Sequence, residues 1–216
     1  MTRRLLLAIL WLTIACFPVS AGKCFTLCSP DGSLETEVSV SDGRVTYSVS
    51  KDAVALLSPS EIALHLSDGS HYDGKVRFLG TRRTSADRML PSQFYKKSSV
   101  HEHYNELVLR FRTYELVFRA YDSGICYRFV SKSTVPFNVS GETASFCFPG
   151  DWDMHVPYVS GSHDSLESQY FNSFENTYEH CTLSGWDAGR LAFLPLMVSS
   201  PDGHRINIME SALMDY

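Results

Sequence analysis

The chain has 216 residues, with 19 Lys+Arg against 24 Asp+Glu and a formal charge of −5. At 44% hydrophobic and 20% charged residues it has the composition of a folded domain with a core, which excludes wholesale disorder. The acidic balance and the lack of any basic run exclude nucleic acid as the main partner, because a surface that tracks phosphates needs excess Lys and Arg.

Arg3-Arg4 precede an apolar run from Leu5 to Cys16, and Val19-Ser20-Ala21 place small residues at −3 and −1 of a cleavage after Ala21. This pattern predicts a secretory signal peptide over residues 1–21, a mature domain over 22–216, and a periplasmic or secreted location. The run is shorter than the roughly 20 apolar residues of a permanent span, and no later segment matches it, so no stable membrane span is expected. A lipoprotein signal acylated at Cys16 is the rival reading. Thr13-Ile14-Ala15-Cys16 fits it poorly, because a leucine-like residue is expected three positions before the cysteine. With Cys16 removed, Cys24, Cys28, Cys126, Cys147 and Cys181 remain, an odd set in which at most two disulfides form. The Cys24/Cys28 spacing invites zinc but lacks a second close pair downstream. A local bridge or unpaired thiols near a frayed terminus is the expectation.

From there the sequence alternates as strands do. Leu34, Thr36, Val38 and Val40 lead through Asp42-Gly43 into Val45, Tyr47 and Val49, a hairpin. Ile62, Leu64 and Leu66 follow, then a short strand at Val76 and Phe78, then Leu107, Leu109 and Phe111. Tyr114, Leu116, Phe118 and Ala120 turn at Asp122-Ser123-Gly124 into Ile125, Tyr127 and Phe129. Ile206, Ile208 and Glu210 share one face of a last strand. With no 3.6-residue period after residue 21, the pattern predicts an all-β fold, a large antiparallel β-sandwich. Residues 151–189 break the rhythm and read as a long aromatic-rich loop.

Several residue groups invite chemistry. Gly161-Ser162-His163-Asp164 cannot act as a triad, because sequence neighbours do not align as nucleophile, base and orienter. His101 and His103 share a strand face that would suit a metal but lack a third ligand at a recognisable spacing, and edge-strand polarity explains them better. The rings of the 151–189 segment, with nearby Asn, Asp and Glu, suit sugar stacking, but packing of the loop onto the sandwich is the leading explanation. Glu210, a carboxylate on an apolar strand face, sits either at the rim in water or against a cation. Calcium there would need further oxygens from elsewhere.

The stretches Ser29-Pro30-Asp31-Gly32, His103-Tyr104-Asn105-Glu106-Leu107, Phe118 to Phe129, Phe148-Pro149-Gly150-Asp151 and Met209 to Tyr216 together resemble the N-terminal domain of glycoside hydrolase family 97. Cys126 stands where the family usually has alanine. The resemblance implies a supersandwich-like β-sandwich that packs on its own C-terminal catalytic (β/α)8 barrel, expected after residue 216. It also implies a calcium-dependent enzyme acting on α-glucosides or α-galactosides, with an α-glucoside or related oligosaccharide as the expected partner. Glu210 matches the glutamate that the domain gives to the calcium site. The segment Phe171 to Tyr178 looks like the α-glucosidase branch, which nominates Phe174, Glu175, Asn176 and Tyr178 for substrate binding. No catalytic residue is expected in this chain, because hydrolysis needs two carboxylates that belong to the barrel. The rival is a free-standing secreted carbohydrate-binding sandwich without catalysis.

Overall fold

The computed structural model describes residues 22–211 except Tyr95 and Ser162. The expected signal peptide, with Cys16, and the last residues of the family-like run, 212–216, lie outside the described residues.

The Asp42-Gly43 hairpin forms as the sequence predicts. Strand β1 (Lys23–Cys28) pairs with β2 (Leu34–Ser41), and β2 with β3 (Arg44–Lys51), all antiparallel. Asp42 and Gly43 have φ of 51° and 75°, the left-handed pair that a two-residue type I′ turn requires. Strand β4 (Val54–Leu66) completes the first sheet with β5 (His71–Tyr72) and the later β10 (Val139–Ala144). A second sheet has the order β6 (Phe78–Pro91), β7 (Ser99–Phe111), β8 (Tyr114–Tyr121), β9 (Gly124–Ser131).

These two sheets face each other. The alternating residues Val38, Val45 and Ile62 of one meet Leu107, Leu109, Phe111, Leu116 and Phe118 of the other, all fully buried. Tyr114 lies stacked between Phe111 (4.4 Å) and Tyr72 (4.7 Å), and its hydroxyl donates to the Asp73 carbonyl at 2.8 Å. The ring thus fills the core while its polar end stays satisfied.

A third sheet, order β12 (Glu179–Thr182), β11 (Asp153–Val156), β13 (Leu196–Ser199), β14 (Arg205–Ile208), carries its own core of Met154, Val156, Leu196 and Val198. Phe148 and Ile206 pack against both cores and join the third sheet to the sandwich.

Three details depart from the sequence reading. Val76 lies in the turn before β6, its amide bonded to the Asp73 carbonyl, and the strand starts at Phe78 and runs on to Pro91. The 151–189 segment is not one loop, since it contains β11, β12 and two 3₁₀ turns, Glu167–Tyr170 and Leu183–Gly185. Finally, Cys24 and Cys28 are not at a frayed end. They sit four residues apart on one paired strand, about 13 Å by strand rise, beyond the Cα separation a disulfide spans. All five described cysteines are free thiols. Among the described residues no helix is long and apolar enough to cross a membrane.

Candidate functional site

The nominated residues Phe174, Glu175, Asn176 and Tyr178 lie between the 3₁₀ turn Glu167–Tyr170 and β12, on a segment with no strand partners of its own. Its shape comes from side-chain amides that replace a ladder. Gln169 is buried at 4% exposure, its Nε2 donates to the Gly189 carbonyl at 2.8 Å, and its Oε1 accepts from the Leu191 amide at 2.6 Å. Asn172 Nδ2 donates to the Gln169 carbonyl, and Asn172 Oδ1 accepts from the Phe174 amide, which holds Phe174 at φ 53°. Asn176 Nδ2 donates to the Tyr158 carbonyl at 2.9 Å, and Tyr178 hydroxyl to the Pro195 carbonyl at 2.9 Å. Asn176 and Tyr178 therefore hold the segment to the third sheet. Phe174 sets its ring against Phe193 at 6.2 Å while staying exposed, and Glu175 is exposed.

Two concavities flank this segment. The polar one, about 210 Å³, is lined by Gly161, His163, Gln169, Gly189 and Arg190. Arg190 is committed elsewhere on both faces: its guanidinium lies 4.2 Å from the Tyr158 ring, and Nη1 is 2.8 Å from Glu179. Tyr158 hydroxyl accepts from the Asp187 amide at 2.9 Å, and burial pushes its pKa up. The apolar concavity, about 310 Å³, is lined by Phe148, Trp186, Phe193, Leu194, Leu196 and Ile208. Trp186 and Leu194 are 40% and 43% exposed, an apolar opening beside the end of β14.

Glu210 lies two residues beyond the end of β14 and is exposed, so the strand face it was expected to share ends at Ile208. Among the described residues no three His, Cys, Asp or Glu side chains are grouped to hold a metal ion. An exposed carboxylate fits the role of a calcium ligand, but it supplies a small part of the six to eight oxygens calcium takes.

His101 and His103 lie on a length of β7 that pairs with β6 alone, because β8 pairing stops at Asn105. Their rings stack in parallel at 5.3 Å, with His101 Nε2 2.6 Å from Asp87 and His103 Nδ1 3.8 Å from Asp122. The edge-like polar setting expected for them is what the ribbon provides. His163 of the Ser-His-Asp run bonds the Ser160 carbonyl through Nε2 at 3.0 Å, as a loop residue does. Gln169 and Arg190 escaped the sequence reading, since their roles depend on partners 20 or more residues away, whereas Trp186 was among the rings weighed for sugar stacking and instead lines the apolar groove.

Residues 27–216 match the family described as glycosyl-hydrolase 97 N-terminal. A retaining alpha-galactosidase of Bacteroides thetaiotaomicron is 44% identical over 213 residues, covering 97% of this chain and 32% of that protein. Among solved structures, a glycoside hydrolase family 97 enzyme from Pseudoalteromonas sp. strain K8, in complex with acarbose, superposes with a TM-score of 0.73 at 21% identity. The alignment covers 89% of this chain and 29% of that one. A beta-arabinopyranosidase superposes at 0.63 with 18% identity, over 81% and 29%.

Sandwich, third sheet and matched residues define an N-terminal β-sandwich domain of a glycoside hydrolase. The chain belongs to the glycoside hydrolase 97 N-terminal family, and it spans about a third of the length of the curated relative.

Proposed function

We propose that this domain serves a secreted, calcium-dependent family 97 α-glycosidase, whose substrate is an α-galactoside. The single observation that carries the substrate class is the 44% identity, over nearly the whole chain, to a protein described as a retaining alpha-galactosidase. The α-glucoside expectation rests on Phe171 to Tyr178 alone. There Asn176 and Tyr178 spend their polar groups on Tyr158 and Pro195, leaving the exposed Phe174 ring and Glu175 to meet a sugar. The apolar opening beside Ile208 supports a docking role toward the expected catalytic barrel, and exposed Glu210 supports a share in a calcium site completed from outside these residues.

The test is to express the full reading frame that contains this chain and compare hydrolysis of p-nitrophenyl α-galactoside and α-glucoside, with and without a calcium chelator. The expected result is a preference for the galactoside that chelation abolishes, with Glu210→Ala raising the calcium needed for activity. A preference for the glucoside would overturn the substrate class. Activity indifferent to chelator and to Glu210→Ala would overturn the calcium role.

A further inference from the structure

His65 on β4 and His71 on β5 are direct cross-strand partners. The Leu66 amide bonds the Ser70 carbonyl at 2.9 Å, so by the alternation of an antiparallel ladder the 65/71 pair next to it is a non-hydrogen-bonded one. Side chains come closest at such positions. Here the two Nδ1 atoms are 3.0 Å apart, with the ring planes crossed at 80°. The other nitrogen of His65, Nε2, is 2.9 Å from the Thr143 hydroxyl on β10, and Ser140 hydroxyl donates to the His65 carbonyl. Three strands therefore fix His65 with Nδ1 aimed at its partner, while His71 is exposed to solvent.

The geometry points to a two-imidazole site at His65 and His71 for a divalent transition-metal ion of the nickel–copper–zinc group, which would clip the two-residue strand β5 to β4. Two nitrogens each about 2.0–2.1 Å from one ion stand about 2.9 Å apart at a right angle and about 3.3 Å apart at the tetrahedral angle, a range that contains the 3.0 Å here. Imidazole nitrogens suit these ions rather than calcium or magnesium. In the tautomer of His65 whose Nε2–H donates to the Thr143 hydroxyl, Nδ1 keeps its lone pair, the second-shell arrangement by which histidine ligands are usually oriented. In that tautomer the metal-free Nδ1–Nδ1 contact carries its proton on His71 Nδ1. Metal binding moves that proton to Nε2 of the same exposed residue, so two neutral imidazoles take up the ion with no net proton release. Water or another small ligand fills the remaining positions, since no third protein donor is grouped there among the described residues.

Two other histidine pairs lack this convergence. The rings of His101 and His103 are parallel within 8°, and those of His155 and His180 within 18°, so their lone pairs run side by side instead of meeting.

The probe is Ni²⁺, added below one equivalent to the untagged chain and followed by NMR of the imidazole ring signals, which are broadened or displaced by the paramagnetic ion according to distance. His65 and His71 signals are expected to respond before those of any other histidine. His71→Gln, a change at an exposed ring, is expected to weaken this binding at least tenfold, and Thr143→Val about tenfold through loss of the orienting acceptor. His101→Gln is expected to leave it unchanged. Simultaneous response of all histidines at one Ni²⁺ ratio, or unchanged binding in a folded His71→Gln variant, would overturn the site. Retention of the far-ultraviolet spectrum identifies a folded variant.

Discussion

Across β7 and β8, the Glu106 carboxylate accepts a 2.8 Å bond from Arg119 Nε, and the same guanidinium lies 4.2 Å from the Tyr104 ring. Thr84 hydroxyl donates to the other carboxylate oxygen at 3.0 Å, so a chain of polar groups crosses the sheet from β6 to β8. Burial alone would raise the pKa of Glu106. The hydrogen bonds from Arg119 and Thr84 and the nearby positive charge outweigh it, and the group is held below its ordinary value.

Glu106→Ala is expected to destabilise the domain by about 2 kcal/mol, less than the about 3–5 kcal/mol of a fully buried pair, because Arg119 keeps partial contact with water. Because the folded pKa is depressed, the carboxylate's contribution is fully present above the unfolded value and is lost as pH falls through the folded one. Urea titrations of wild type and Glu106→Gln should therefore differ at pH 7 and converge in acid. A constant difference across the range would show that the ionised form contributes nothing.

Asp31 gives a second acid-side expectation. In the turn between β1 and β2 its carboxylate accepts from the Ser29 hydroxyl at 2.5 Å and from the Ser33 amide and hydroxyl, and its own amide donates to Asp122 at 2.9 Å. The Ser29 and Ser33 bonds lead the causes that bring its pKa down to about 2. The stability it contributes is present above the ordinary aspartate value and is lost as pH falls toward 2. Carboxyl carbon shifts followed from pH 6 to pH 1.5 should show Asp31 still ionised at pH 3, and Ser29→Ala should move its midpoint up. An Asp31 midpoint near that of an exposed aspartate would contradict the turn geometry.

The sandwich was legible where one face of a strand is buried and the other wet, because burial then writes a two-residue period into the chain. Strand β2, with Leu34, Thr36, Val38 and Val40 inward, shows this plainly. Strand β6 does not. Beyond Phe78 it is mostly exposed and polar, and its pairing with β7 is a matter of backbone bonds that leave no mark on side-chain type. The short strands β11, β12 and β13 were hidden for a different reason: four residues show at most two inward positions, and β14, equally short, was read with the help of the Pro201-Asp202-Gly203 turn before it. At the candidate site, Phe174 and Glu175 were nominated by resemblance to the family, not by periodicity. The fixing amide of Gln169 carries no local signal, because its partners Gly189 and Leu191 are 20 and 22 residues away.

The cysteines offer a covalent check. Cys24 and Cys28 share a strand too extended to bridge them, and Cys126, Cys147 and Cys181 are likewise unpaired. Iodoacetamide added to the denatured chain without reductant should alkylate Cys24, Cys28, Cys126, Cys147 and Cys181, and prior reduction should change nothing at these five. A mass lower by two alkyl groups would mean that one pair is bridged.

Gln169 tests how the segment from Phe171 to Tyr178 is held. Its amide reaches the Gly189 carbonyl and the Leu191 amide from a position at 4% exposure, where water cannot take over either bond. Gln169→Leu keeps the volume roughly constant but strands one donor and one acceptor of the backbone, at a cost of about 1–3 kcal/mol for each group left buried. The loss should be felt locally before it is felt globally, because the sandwich core of Val38, Leu107 and Phe118 lies elsewhere. Hydrogen exchange read by mass spectrometry should therefore quicken in peptides spanning 165–178 and 187–192, while those from β7 and β8 keep their protection. Uniform loss of protection would make Gln169 a keystone of the whole domain. No change would mean that Asn176 and Tyr178, through Tyr158 and Pro195, hold the segment by themselves.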